Sequence, residues 1–349
     1  MKTKLIRVDE QHIDTALMRE AGEVIRAGGL VAFPTETVYG LGGDALNAQS
    51  SEKIYRAKGR PSDNPLIVHI ADPEALSAIV REIPEGAVKL AKKFWPGPLT
   101  MILHKSDIVP CETTGGLNTV AVRMPSNLIA RELIRAAGGY VAAPSANRSG
   151  RPSPTSAKYV VEDMDGRIEV IIDGGDVEIG LESTIVDLTT TPPTILRPGY
   201  ITRQMLEKVF DTVEEDSTMM RDDSGQAPKA PGMKYRHYAP KGDLTVVDGT
   251  EENVVQYINA QIELNRRDNK KTGVIATDTS VMRYHADVCK SAGNRRDEDT
   301  IARELYRILR EFDDENVEVI YAESFDTSGI GQAIMNRLLK AAGHKVIHV

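Results

Sequence analysis

IDTALMREAGEVIRAGGLVAF, residues 13–33, is the stretch that decides the fold class. Ile13, Ala16, Leu17, Ala21, Val24 and Ile25 recur at the spacing of one helical face, and Gly28-Gly29 supplies a stop, so a helix is predicted over Ile13–Arg26. A strand comes next at Leu30–Phe33. Outward from there, β-rich runs recur at 66–70, 100–103, 120–124, 141–143, 170–172, 184–188 and 194–196. Helical patterns lie between several of them, at 50–57, 74–80, 86–94, 128–137 and 156–164. The mixture is α/β, with intervals too uneven for a regularly alternating parallel sheet. After Phe210 the apolar periodicity fades, and Pro228, Pro231 and Pro240 with several glycines read as a linker. From Asp243 onward, strands at 244–247, 273–277, 317–322 and 346–349 alternate with helices at 252–264, 301–312 and 331–342, the rhythm of a small doubly wound domain. The expected division is therefore 1–210, a linker at 211–242, and 243–349.

The 349 residues, 41% hydrophobic and 27% charged, fit globular domains and exclude collagen, low-complexity and disordered chains. A net charge of −8 argues against a general nucleic-acid coat, because nonspecific affinity for a polyanion comes from Lys and Arg at its phosphates. The acidity is uneven: residues 1–210 carry 24 basic and 26 acidic groups, residues 211–349 carry 19 and 25. Cys111 and Cys289 lie far apart and outside any C-x-x-C pattern, so they read as ordinary small apolar residues rather than a disulfide or zinc site. Charges in MKTKLIRVDEQHID arrive too early for a secretory leader, and no apolar run approaches the ~20 residues of a membrane span. A cytoplasmic protein without a membrane partner is expected.

Generic nucleotide and hydrolase signatures are missing: there is no G-x-x-x-x-G-K-[ST], G-x-G-x-x-G, H-E-x-x-H or G-x-S-x-G. Three segments carry the polar chemistry instead. FPTETVYGLGGDA, residues 33–45, continues a strand with hydroxyls, glycines and one acid; it reads either as a ligand cradle built on Thr35, Thr37 and backbone N–H groups or as a glycine turn with a threonine cap. KIYRAKGR, residues 53–60, holds four cations in eight residues, and Pro61 and Pro65 stiffen the chain immediately after it. Lys58 and Arg60 suit phosphate, while a solvated helix end is the plainer alternative. VAAPSANRSGRPSPTSA, residues 141–157, offers Ser145, Asn147 and Ser153 on a proline-stiffened loop, or is a capped connector. His69 closes the run LIVH and reads first as a structural histidine. Arg123 alternates with Val120 and Val122 and, in a buried strand, needs an anion from either the protein or a ligand. Ser183, Thr184 and Arg197 lie near further strand ends, and the linker adds Tyr235, Arg236, His237 and Tyr238. One polar cleft accounts for their joint occurrence.

PTETVYGLG at 34–42, KGRPSDNPLIVHI at 58–70, WPGPLT at 95–100, TVAVRMP at 119–125, APSAN at 143–147, ESTIVD at 182–187, LRPG at 196–199 and APGMKYRHYAP at 230–240 together closely resemble the threonylcarbamoyl-AMP synthases, the YrdC/TsaC family, in its longer two-domain form. The resemblance implies a twisted mixed YrdC-like sheet with helices, then a smaller Rossmann-like α/β domain. It implies a nucleotidyltransferase that makes threonylcarbamoyl-AMP and pyrophosphate from L-threonine, bicarbonate and ATP for tRNA threonylcarbamoyladenosine modification. By motif position, Lys58 and Arg60 would act on the phosphates and the charge of the transition state. Arg60, Asn64, Thr119, Ser145, Ser153, Arg197, Tyr235 and His237 would contact ATP, the last two as a lid from the linker. Thr37, His69, Arg123, Ala143 and Ser183 would surround threonine, with Arg123 on its carboxylate. Mg²⁺ would arrive with ATP, held by phosphates and water rather than by protein ligands. Downstream tRNA-modifying transferase proteins, and a weak tRNA contact, complete the implied partners. The rival from another class is an RNA-binding tRNA or ribosome maturation factor with KIYRAKGR on an open basic surface; among enzymes, a carbamoyl transferase using carbamoyl phosphate is the nearer competitor.

Overall fold

A computed structural model of the chain describes residues 2–216, 230 and 238–349. Eleven strands form one mixed sheet: β1 (Lys4–Arg7), β2 (Val31–Phe33), β3 (Gly40–Asp44), β4 (Ile67–His69), β5 (Leu99–His104), β6 (Thr119–Arg123), β7 (Val141–Ala142), β8 (Val170–Asp173), β9 (Thr184–Asp187), β10 (Thr194–Arg197) and β11 (Glu214–Glu215). Their spatial order is β1-β8-β2-β3-β7-β4-β6-β5-β9-β10-β11. Parallel pairs such as β4 with β6 mix with antiparallel pairs such as β5 with β6 across it, as the uneven spacing of the sequence runs implied.

Helices α1 (Thr15–Arg26), α2 (Ala48–Lys58), α3 (Leu76–Ile79), α4 (Glu85–Phe94), α5 (Leu128–Ala136), α6 (Ala157–Met164) and α7 (Arg203–Leu206) cover this sheet. The apolar stripe of α1 meets that of α5, burying Met18, Ala21 and Ile25 against Ile129, Leu133 and Ile134. Asp14 caps α1, accepting from the N–H groups of Ala16 and Leu17. The larger core lies among α2, α4, α6 and the strands, around Leu41, Ile54, Leu66, Leu90, Val122 and Val160.

The second sheet is parallel, in the order β14-β13-β15-β12-β16, from β12 (Asp243–Asp248), β13 (Thr272–Ala276), β14 (Val288–Ser291), β15 (Val319–Glu323) and β16 (Val346–His348). Helices α8 (Glu251–Arg267), α9 (Glu298–Asp314) and α10 (Gly329–Ala341) connect its strands. This is the doubly wound arrangement.

Two expectations change. GLGGD, part of the segment for which a ligand cradle and a glycine turn were the two readings, is strand β3 rather than a turn: its glycines let it lie flat beneath Phe33 and Val141, where a side chain on Gly42 would have no room. Cys111 is exposed on the surface rather than packed as a small apolar residue, and Cys289 is half-buried; both are free thiols. Among the described residues no helix is long and apolar enough to cross a membrane.

Candidate active site

Directly opposed residues of paired strands share a face. The pairings His69 with Arg123, Arg123 with Thr100, Ile67 with Ala121 and Ile185 with Arg197 therefore gather these side chains on one face of the first sheet. Val68, Val122 and Met101 point the other way, into the core. In TVAVR the two valines anchor the strand while Thr119, Ala121 and Arg123 face outward. The middle of that outward face is apolar, and Ala230 packs there against Ile67, Ile102, Ala121, Ile185 and Leu196.

A cleft partly open to solvent stands over the polar end of this face. Its walls are Thr35 and Val38 after β2, Lys58 at the end of α2 and Arg60 just beyond it, Ala143, Ser145, Asn147 and Gly150 after β7, and Glu182, Arg197 and Tyr238. Helix α2 ends at Lys58 because Gly59 turns left-handed, φ 65°. The ammonium is thereby turned inward: Nζ donates to the Asn147 carbonyl at 2.6 Å, to Asn147 Oδ1 at 3.3 Å and to the Ser145 carbonyl. Burial, with the nearby Arg60 charge, pushes the Lys58 pKa well below its ordinary value. Lys58 is thus no solvated helix end, although Lys53 and Arg56 of the same run are exposed. Arg60 donates from Nη2 to the Pro65 carbonyl at 3.1 Å, and burial lowers its pKa to about 10. Beside it Asn64 is fully buried, and both polar atoms of its side chain lack a hydrogen-bond partner. Such an amide is costly to leave unpaired in a finished core and natural beside a ligand.

Arg123 has the anion its strand position required: Glu36 Oε1 accepts from Nη2 at 2.6 Å, and both residues are buried. The pairing is one-pronged, since Arg123 Nε and Glu36 Oε2 remain without partners. His69 lines the cleft with Nδ1 3.1 Å from the Ile67 carbonyl. Its pKa is lowered to about 3, by burial first and then by the Arg123 charge, so the ring is neutral at pH 7. Ser183 Oγ lies 2.7 Å from Thr100 Oγ1 and accepts from Arg197 Nη2 at 3.1 Å. Burial brings Arg197 down to about 10. Ser145 Oγ donates to Asn147 Oδ1 at 2.5 Å, and the Ala143 N–H donates to the Ile67 carbonyl at 2.9 Å.

Ser153 donates to Glu182 Oε1 at 2.6 Å. That carboxylate also accepts from Tyr306 of α9, 2.9 Å to Oε2, and from Arg337 Nε of α10 at 2.8 Å. Burial alone would raise the Glu182 pKa, but Arg337, Arg197 and the Ser153 hydrogen bond outweigh it and hold it at about 2. Tyr238 packs its ring 5.1 Å from that of Tyr306.

Lys58, Arg60, His69, Arg123, Ala143, Ser145 and Arg197, all singled out by motif position, line the cleft together. Ser183 and Ser153 stand directly behind its wall. Thr37 is buried, its hydroxyl 2.9 Å from that of Thr35, and Thr35 rather than Thr37 reaches the cleft. Thr119 shares the Arg123 face but stands one residue pair beyond Ala121, outside the cleft walls. Asn64 likewise lies outside them. Tyr235 and His237 lie outside the described residues. Tyr238, which the linker offered to the polar cleft, does line it, whereas Glu36, Thr100 and Glu182 are site residues that sequence reasoning missed. Glu36 and Glu182 each sit inside a quoted motif, and the sequence signal was Arg123's need for an anion without a way to choose among acids.

A family model described as telomere recombination, that of Sua5, YciO and YrdC, matches residues 23–199. A second, described as threonylcarbamoyl-AMP synthase, C-terminal domain, matches residues 201–343. The chain is 49% identical over 347 residues to a threonylcarbamoyl-AMP synthase of Pyrococcus abyssi, covering 99% of this chain and 100% of the relative. It is 47% identical over 351 residues to that of Bacillus subtilis, with 99% and 100% covered. A crystal structure of P. abyssi Sua5 complexed with L-threonine superposes with a TM-score of 0.94 at 48% identity, covering 99% of this chain and 100% of the other.

Proposed function

The chain belongs to the Sua5/YrdC family, whose full-length relatives are named threonylcarbamoyl-AMP synthases, and from that premise we propose that it joins L-threonine, bicarbonate and ATP into threonylcarbamoyl-AMP with release of pyrophosphate. One observation carries the reading: four cations, Lys58, Arg60, Arg123 and Arg197, converge on a single cleft in which Glu182 is the one carboxylate among the described lining residues. The threonine amine and bicarbonate give a carbamate and water. A carbamate oxygen then attacks the ATP α-phosphorus, forming the P–O bond as the bond to pyrophosphate breaks. No enzyme nucleophile takes part. The protein's contribution is to bring two anions together and to stabilise charge, which suits inward-facing cations fixed by carbonyls.

In this reading Lys58 and Arg60 act on the phosphates, with Asn64, Thr119, Ser145, Ser153 and Arg197 toward the nucleotide and Tyr235 and His237 closing over it. Arg123 offers its unpartnered Nε to the threonine carboxylate, and Thr37, His69, Ala143 and Ser183 complete that side. Mg²⁺ enters as part of the nucleotide, held by phosphates and water, and Glu182 is already engaged by three neighbours. The product would pass in the cytoplasm to the transferase proteins that modify tRNA. The rival RNA-binding reading needs an open basic run, and the inward turn of Lys58 weighs against it. The test supplies ATP, Mg²⁺, L-threonine and labelled bicarbonate. A labelled adenylate is expected, lost in Lys58→Ala and Arg60→Ala; no label at any protein concentration, or label only from carbamoyl phosphate, overturns the proposal.

A further inference from the structure

Glu182 is an awkward residue in a cleft meant for a polyanion. It lies on the wall beside Arg197, and an ionised carboxylate there would repel phosphate unless its charge were balanced. Arg197 and Ser153 supply part of that balance from the first sheet's side, and a direct ion pair comes from the second. Arg337 on α10 is wholly buried, its Nε bonds Glu182 Oε2 at 2.8 Å, and its Nη1 bonds Asn336 Oδ1 at 2.9 Å. Tyr306 on α9 donates to the same carboxylate. Through Glu182 these bonds reach Ser153, on the far side of the cleft wall.

We propose that Arg337 is a charge-compensating positioning residue of the nucleotide site, so that the cleft of the first sheet is complete only with α10 of the second. This rests on the ATP-dependent reading above. Arg337 touches no substrate; it acts through Glu182, by neutralising the carboxylate and fixing the side chain that holds the Ser153 hydroxyl. A purely structural ion pair would affect both substrates alike. A charge compensator affects the anionic nucleotide selectively, and its loss is repaired by removing the charge it compensates.

The full-length chain is titrated with MgATP, and KM is measured separately for ATP and L-threonine. Arg337→Gln is expected to weaken ATP at least tenfold while shifting the L-threonine KM less than twofold, and the double variant Glu182→Gln, Arg337→Gln recovers most of the loss. Should Arg337→Gln not fold, by circular dichroism and gel filtration, Tyr306→Phe and Arg337→Lys carry the test: Tyr306→Phe weakens ATP several-fold and Arg337→Lys keeps near-native affinity. The proposal is overturned if Arg337→Gln binds ATP like the parent, if the double variant binds no tighter than the single one, or if neither conservative variant shows this pattern. A parent chain that binds ATP but yields no labelled adenylate would sink the proposed reaction while leaving these affinities interpretable.

Discussion

His69 shows how far a single side chain can be read. Closing an apolar run, it promised a structural histidine, and the 4% exposure, the Ile67 carbonyl and the pKa near 3 agree with a ring kept neutral. That neutrality sets the sign of the linkage. The unfolded chain protonates this ring below about 6.5 and the folded chain does not, so the unfolded state binds more protons and stability falls as pH drops from there toward 3. The slope is about 1.4 kcal/mol per pH unit for one such group. Urea unfolding at pH 7.5, 6 and 5 is expected to show that decline, and His69→Asn a decline shallower by about one proton; equal slopes would place the ring's proton elsewhere. Arg123 marks the limit of such reading. Its strand position required an anion, but Glu36 is 87 residues away, and only the packed fold selects it.

Elements differ in how plainly they announce themselves. Helix α1 and strand β2 were legible because periodicity and glycine stop agree, while the Asp14 cap, which starts the helix at Thr15 rather than Ile13, was not read. Strand β3 was not, because glycines that signal a turn locally here serve close packing, a requirement set by neighbours far along the chain. Two glycines separate these roles. A methyl on Gly42 would lie 2.8 Å from Val141 Cγ1 and 2.9 Å from Phe33 Cε1, so Gly42→Ala should cost about 1–3 kcal/mol through overpacking. A methyl on Gly59 meets nothing within 4 Å, and its cost comes from φ 65° alone, about 1 kcal/mol. Melting curves should therefore show Gly59→Asn partly restoring what Gly59→Ala loses, because asparagine tolerates the left-handed region, while Gly42→Asn is worse than Gly42→Ala. The opposite order would mean that α2 does not depend on this cap. Gly59→Ala should also lower adenylate formation, since the cap aims both Lys58 and Arg60.

At the scale of the whole molecule, the two sheets were legible as separate rhythms, and their union was not. An apolar seam, in which Val38 and Leu181 join the core of the second sheet, is fastened by charged residues that a sequence reading assigns to solvent. Arg310 of α9, 1% exposed, bonds Asp163 of α6 at 2.5 Å and donates twice to the Pro152 carbonyl, at 2.6 and 3.0 Å. Asp163 also receives Arg151, and Asp313 of α9 accepts from the Lys241 N–H at 2.6 Å. Removing one partner of a buried pair leaves an uncompensated charge and costs about 3–5 kcal/mol. Scanning calorimetry of Arg310→Ala is expected to split one cooperative transition into two; a single transition at the parent temperature would show that other contacts couple the sheets. The same fastening bears on how the protein can be cut. A truncation after the first sheet would strip Asp163 of Arg310 and Glu182 of Arg337 in one stroke, so a minimal synthase carved from this chain would need both carboxylates neutralised before it could be expected to hold a nucleotide.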